Sequence, residues 1–571
     1  MPKSSFALTN LTAGELSPLL KGRFDISRYS NAAKTIENFI IHQAGGCMFR
    51  PASRYVAEAK TSSDGKVRLY PFQFSTTQSY ILEFGDNYVR FYANNGQVVS
   101  GTPVETVTPY AIADIFDLQF AQDADTLYIS HNSYPTYKLQ RTSATTFTMT
   151  AVGFSRGPFL DVNITANTIT PSADAGNDIT LTGSVAQFTE DHVGSFWRIK
   201  SGVVLIDTYA NAAKVITGIT KADPAVVTSA GHDLLDGDEV TIAGVVGMTE
   251  VNGNTYIVNN KDANTFELQT TASVDVDSSA YTAYDSAGTA DKTKSTVVSG
   301  DVQDEPDGTT GALATGPAAT DDWAEGSWSA RRGYPNSVAF HEQRLVFANT
   351  PHEPQKFWAS VVQEYENFNV DDASADDSYA YKIATEQVNA IRWLSSAPKS
   401  MQIGTSGATF SASSGSQNEP ITPSSIVVQR DTTYGAADVL PKRIGNYLYY
   451  VQRNTYSLRE LGYSFDIDAQ QSLDMTLLSD HILRDGDGAI EMAYQQSPHN
   501  RVWIVRDDGE MAVMTRNREQ EVTGWSRVVA GNDTRGQGKY ESVAIIPGDG
   551  GDDQIWVSVR RYIDGAYVRY I

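Results

Sequence analysis

Cysteine is nearly absent: Cys47 is the only one in 571 residues. A single thiol excludes an intramolecular disulfide framework and any zinc cage built from cysteines. It lies in the run GGCMFRP, which gives no reason for a depressed pKa, so a buried or idle thiol is expected. Long apolar runs are missing too. No stretch approaches about 18 consecutive apolar residues, so no transmembrane helix is expected, and the opening MPKSSFALTNLTAGELSP lacks the apolar segment of a secretory signal. Basic residues are in deficit, with 44 Lys and Arg against 68 Asp and Glu, a net charge of −24 and a pI near 4.7. A general nucleic-acid binder, which must neutralise phosphates, leans the other way. The eight histidines include no HExxH pair; His341-Glu342 and His352-Glu353 have no second histidine four residues after the first, and are read as exposed or hydrogen-bonded. Neither a GxSxG nucleophile elbow nor a GxxxxGK[ST] phosphate loop occurs.

What is present is enough apolar material, 41% of residues with 20% charged, to build several domains of roughly 100–200 residues each. The acidity is uneven. Residues 158–330 hold 25 Asp and Glu against 7 Lys and Arg, whereas residues 1–60 hold 8 basic against 4 acidic side chains. The middle is also rich in Ala, Thr, Ser, Gly and Asp. Such a shift within one chain marks an insertion. The expected organisation is an N-terminal arm over 1–60, a first β part over 61–157, an acidic inserted β module over 158–330, and the remaining β part over 331–571.

Strand signals dominate. Residues 79–92 read SYILEFGDNYVRFY, two strand-forming runs about Gly85-Asp86-Asn87, the pattern of a hairpin. Residues 555–570 repeat it around Asp564-Gly565, and residues 502–515 around Asp507-Asp508-Gly509-Glu510. Helical periodicity is confined to residues 30–41, where Ala33, Ile36, Phe39 and Ile40 would share a face, and to residues 472–483. Apolar strand openings recur at Val338, Ile391, Tyr447, Val502 and Ile555, separated by 53, 56, 55 and 53 residues. Two shorter units, at 80–92 and 118–141, precede the acidic middle. Short strands at such a period predict propeller blades of about four strands each. The expected class is mainly β: a β-propeller core, an inserted small β-barrel and a short, partly helical N-terminal arm. An ordinary stack of antiparallel sheets is the alternative.

Three acidic clusters invite a cation. Asp485-Gly486-Asp487-Gly488 starts like a calcium loop but has Ala489 at its fifth position and no closing acid. Asp371-Asp372 with Asp376-Asp377, and Asp549 with Asp552-Asp553, have a plainer role as turn residues. No metal, cofactor or catalytic residue is assigned.

Residues 6–56 carry an ordered series: Gly14-Glu15-Leu16-Ser17-Pro18, then Gly22-Arg23-Phe24-Asp25, Tyr29, Asn38, Gly45-Gly46 and Arg50-Pro51. This resembles the N-terminus of the tail nozzle proteins, also called tail tubular proteins B, of short-tailed bacteriophages. The resemblance continues at 71–92 and 118–131 and resumes at 332–350 and 357–368. A second resemblance lies in the middle. Residues 217–268, with His232, Gly237-Asp238, Val240, Gly244, Met248, Asn252-Gly253, Tyr256 and Thr265-Phe266, look like the small β-barrel module named after the first catalytic-cysteine half-domain of ubiquitin-activating enzymes, placed at about 215–270. It has no cysteine, so ubiquitin chemistry does not follow.

The first resemblance implies a non-enzymatic virion part: a homo-hexameric ring below the portal and head-tail adaptor, extending the channel for DNA ejection and holding tail fibres, spikes or needle proteins. Double-stranded DNA would be touched only in transit and without sequence preference. On this reading the N-terminal arm reaches along a neighbour or the adaptor, with Arg23, Asp25, Arg28, Tyr29, Arg50 and Arg54 as interface candidates. The alternative is a propeller-type glycan-degrading or receptor-binding tail spike.

Overall fold

Strand-forming residues in runs of four to ten, broken by Gly, Asp and Asn turns, build an almost entirely antiparallel β structure. The computed structural model describes residues 10–571 apart from 64, 76–77, 211–212, 305–308, 315, 371–373, 386–388, 417–418, 467, 534–535 and 549. The chain divides into two compact units, one made of residues 1–152, 334–365 and 374–571, the other of 153–333 with 366–373.

Among the described residues the first unit is a propeller of seven blades, with three two-stranded sheets beside them. Blade one runs from its inner strand Arg68–Gln73 through Ser79–Gly85 and Tyr88–Ala93 to Glu105–Val107, and blade two from Gln119–Asp123 to Thr146–Ala151. Blades three to six start at Ser337–His341, Ile391–Ala397, Lys442–Ile444 and Ala489–Gln495, and blade seven at Lys539–Pro547. Each inner strand packs on the blades beside it, and side chains seal the joints. Tyr70 stacks on Phe120 between blades one and two, with ring centroids 3.9 Å apart. Trp393 meets Tyr450 between blades four and five. Between blades seven and one, the Leu69 amide donates to the Ser542 hydroxyl at 2.8 Å. These joints are continuous apolar layers, such as Val67, Leu69, Ile81 and Tyr92 against Ala544, Ile546 and Trp556, and burial of such area is the main stabilising term.

Blade seven has three strands of its own, ending at Ala566–Tyr570. The N-terminal segment supplies the fourth. The amide of Val56 donates to the Ile571 carbonyl, Ile571 returns a bond to Ala57, and Ala59 donates to Arg569. Residues 56–59 are thus sewn to the strand Ala566–Tyr570 in one blade, which closes the ring. The outer edge of blade six is extended in the same way: Gly14–Glu15 pairs in parallel with Val522–Val528, and Ala32–Ala33 pairs in parallel with Gly14–Glu15.

The arm is partly helical, but not where the periodicity placed the helix. Residues 30–41 form no α-helix. They contain the strands Ala32–Ala33 and Phe39–Ile41, separated by Asn38 in the left-handed region at φ 59°. An exposed sheet edge offers unpaired backbone groups, and pairing with them outweighs a weak helical periodicity. Residues 472–483 also divide, into the end of the strand Ala469–Asp474 and a single helical turn at His481–Arg484. Among the arm's described residues the helical content is limited to short 3-10 turns at Pro18–Leu20 and Ser27–Asn31. The three hairpins are present as expected; at the last, Asp564 and Gly565 have φ of 50° and 92°, the left-handed pair that a two-residue type I′ turn requires.

The second unit contains two sheets. One has six strands, from Ile169–Pro171 to Trp323–Glu325. The other closes into a barrel. Its two edge strands, Lys214–Val215 and Gly218–Ile219, are consecutive in the chain, the first pairing with Thr289–Lys294 and the second with Val226–Thr228. One continuous segment thus joins both edges around a core that includes Leu234, Val240, Met248, Tyr256 and Phe266. The residues of the module-like pattern serve that fold. His232 donates through Nε2 to the Thr265 carbonyl at 3.3 Å, the Asn252 amide group bonds both the N–H and the carbonyl of Val245, and Asp238, fully buried, accepts from Leu235, Ser295 and Thr296.

Candidate assembly surface

The N-terminal series splits into an inward half and an outward half. Gly14 lies at φ +73°, and a Cβ there would stand 2.2 Å from the backbone nitrogen of Trp525, so only glycine fits against blade six. Glu15 is 2% exposed. Its carboxylate accepts from the Ile36 amide at 2.7 Å, from His481 Nε2 at 3.0 Å and from Arg527 Nε at 3.2 Å. Burial alone pushes this carboxyl up, but the bonds from His481 and Ile36 and the Arg527 charge outweigh it and hold it below the ordinary carboxylate range. Leu16 is buried, and the Ser17 amide donates to the Leu478 carbonyl at 2.9 Å. Ser17 also caps the 3-10 turn that starts at Pro18, accepting from Leu19.

Beyond Pro18 the chain turns outward. Leu19 and Phe24 are each 80% exposed. Arg23 makes a two-pronged ion pair with Asp25, at 2.8 and 2.7 Å, in full solvent. Tyr29 packs edge-on against Phe24 with centroids 5.1 Å apart, and its hydroxyl accepts from the Gly22 amide. Arg28 donates to the Glu521 carbonyl at 3.1 Å. Two hollows flank this segment. One, of 530 Å³, is walled by Arg28, Met475, Leu477, Arg518 and Trp525. The other, of 320 Å³, is walled by Leu16, Pro18, Leu20, Tyr29 and Ala33. Leu477, 71% exposed, stands at the rim of the first.

Four of the six interface candidates, Arg23, Asp25, Arg28 and Tyr29, therefore share this surface. Arg50 and Arg54 stand apart. Arg50 is drawn back to the Asn38 side-chain oxygen at 3.0 Å and the Pro51 carbonyl, while Arg54 is exposed beside Tyr55, which packs edge-on against Tyr570. The arm is not free to reach elsewhere along its whole length, because its inward half is bound to blades six and seven of its own chain. Leu19 and Leu477, which give the surface its apolar character, carried no signal in the sequence beyond being hydrophobic.

Cys47, expected to be buried or idle, is exposed. Among the acidic clusters, Asp371, Asp372 and Asp549 lie outside the described residues. Asp377 and Asp553 act as turn acceptors, for Ser374 and for Gln496 with Ser497. The structure does bring together a set the sequence did not suggest: Asp178, Asp207 and Asp301 place carboxylate oxygens within 4.8 Å of one another. Their donor chemistry suits a hard cation; Asp178 and Asp207 are exposed and Asp301 is half-buried. Among the described residues no helix is long and apolar enough to cross a membrane.

Residues 223–294 match the family described as the ubiquitin-activating enzyme E1 FCCH domain. No curated protein matches the chain. Among solved structures, it is similar at 9% identity and a TM-score of 0.24 to human WBSCR16, covering 41% of this chain and 66% of that one. It is similar at 9% identity and a TM-score of 0.29 to a 6-phosphogluconolactonase-like protein of Bacteroides uniformis, covering 80% and 93%. The chain thus contains an E1 FCCH-like domain within a mainly β, propeller-like protein.

Proposed function

We propose that this chain is a structural virion protein, the tail nozzle of a short-tailed phage, acting as a homo-hexameric ring that docks to the head-tail adaptor and holds fibres or spikes. The observation that carries the reading is the N-terminal series and the way it divides. Gly14 to Ser17 lock the arm onto blade six, and the following residues present Leu19, Phe24 and the Arg23–Asp25 pair to solvent beside two hollows. Exposed apolar side chains rimmed by charge are what an assembly contact needs. The composition supports a conduit as well: an acidic protein of net charge −24 resists adhesion of a polyanion in transit. The concentration of acids in residues 158–330 favours the rim of such a ring over its lumen.

The test is the symmetry and mass of purified particles, by light scattering and negative-stain imaging, alone and with an adaptor protein. Six copies of 62.2 kDa give about 373 kDa, and a six-fold ring with a central hole is expected. A trimer, or a monomer that stays single with the adaptor and turns over capsular polysaccharide, overturns the reading in favour of a tail spike.

A further inference from the structure

Where blades one, five, six and seven converge, their inner strands surround a cavity of 240 Å³. Its walls are mixed. Tyr70, Phe116, Leu440, Met492 and Val543 supply apolar surface, and Arg68, Asp438, Lys442 and Glu491 supply charge. The charges are not equivalent. Arg68 donates to Glu491 at 3.1 Å and to the carbonyls of Ile115, Phe116 and Leu118. The second oxygen of Glu491 accepts from the Ser542 hydroxyl at 2.5 Å and the Val543 amide at 2.8 Å. Asp438 faces Arg392 at 3.4 Å and accepts from the Gln119 amide. Both carboxylates at the cavity are thus already matched by an arginine.

Lys442 is the charge left over. Its ammonium forms no ion pair or hydrogen bond with any described residue. Burial pushes its pKa down, opposed by the field of Glu491. A half-buried ammonium with three donors and no acceptor is costly by the usual balance of desolvation against pairing, and Lys442 is the one charged lining residue with no partner in contact, beside an apolar wall.

We propose that this cavity is a binding site for one small organic monocarboxylate, its carboxylate received by Lys442 and its hydrocarbon part by Tyr70, Phe116, Leu440, Met492 and Val543. A monoanion gives Lys442 the acceptor it lacks, whereas a phosphate dianion would set a second negative charge against Glu491 and Asp438. The volume admits a short chain or a single ring and excludes a polymer.

Calorimetric titration of the full chain with hexanoate, hexanamide and inorganic phosphate tests this. One equivalent of hexanoate is expected to bind, with hexanamide and phosphate weaker by about tenfold or more. Lys442→Met removes an unmatched buried charge, so it should fold at least as well as the wild type and lose about tenfold or more in hexanoate affinity. A second measurement needs no variant: hexanoate should slow acylation of Lys442 by an amine-reactive ester several-fold, while leaving exposed Lys399 unchanged. Phosphate binding as tightly as hexanoate, unchanged affinity in Lys442→Met, or equal protection of Lys442 and Lys399 overturns the proposal. So does the absence of hexanoate binding.

Discussion

His481 donates through Nε2 to the carboxylate of Glu15 at 3.0 Å, across 466 residues of sequence. With Arg527 and the Ile36 amide on the same carboxylate, this contact fixes the arm to the outer edge of blade six. Glu15→Ala should leave three donors without this acceptor and cost roughly 2–4 kcal/mol of local stability. Hydrogen exchange is expected to rise over residues 13–37 and to stay unchanged in blade two. Gly14→Ala should have the same signature, because its Cβ meets the Trp525 backbone.

The same clamp is sensitive to acid. Glu15 has a folded-state pKa below its ordinary value of 4.5. Its stabilisation is complete above that ordinary value and is lost as pH falls through the folded value. Protection over residues 13–37, taken relative to the intrinsic exchange rate at each pH, should therefore fall in acid below the ordinary value of 4.5, with the Glu15→Gln variant showing a flatter profile.

In the second unit Glu325 is bridged by His192 at 3.2 Å and by a two-pronged pair with Arg332. Burial pushes this carboxyl up, but those bonds and charges bring it down to about 2. The shift from 4.5 amounts to about 3 kcal/mol, present above pH 4.5 and lost toward pH 2. Acid titration followed by exchange over residues 188–206 should show this loss in the wild type, and Glu325→Gln should have lost it already at pH 7.

Asp431 has the opposite sign. Burial raises it to about 6, against one hydrogen bond from Ser411, and its other oxygen has no hydrogen-bond partner among the described residues. An acid whose folded pKa is raised stabilises the fold only when protonated, so its contribution is complete below about 3.8 and gone above 6. Asp431→Asn should raise stability at pH 7 by up to about 3 kcal/mol, with little gain at pH 4, in denaturant titrations at the two pH values.

Leu19 and Phe24 contribute little to the fold, being 80% exposed each. The double change Leu19→Ser with Phe24→Ser should alter stability by less than about 0.5 kcal/mol. If the surface is an assembly contact, the same change should weaken particle formation by about tenfold or more in light scattering. Intact assembly would remove this surface from the interface.

The local part of this architecture was legible in the sequence. Asp564-Gly565 and Asp507 to Glu510 announce their hairpins because turn chemistry acts within four residues. The barrel pattern was legible for the same reason: His232, Asn252 and Asp238 each satisfy backbone groups of their own module. The blade period was legible, but its phase was not. Val338 and Ile391 lie on inner strands, whereas Tyr447, Val502 and Ile555 lie on second strands, because the second strand is covered on both edges and is often the more apolar. In blade five the inner strand is only Lys442–Ile444.

Tertiary structure alone decided the rest. No periodicity in residues 30–41 shows that blade six offers an edge to pair with, and nothing near residues 56–59 shows that the chain's last strand needs a partner. Glu15 with His481, Asp178 with Asp207 and Asp301, and Lys442 left unmatched among paired charges are all consequences of register between distant strands. Sequence fixes which strands and turns form because those energies are local. Which edges meet, and which charges are left without a partner, depends on ring closure, and that is set by the summed packing of seven blades.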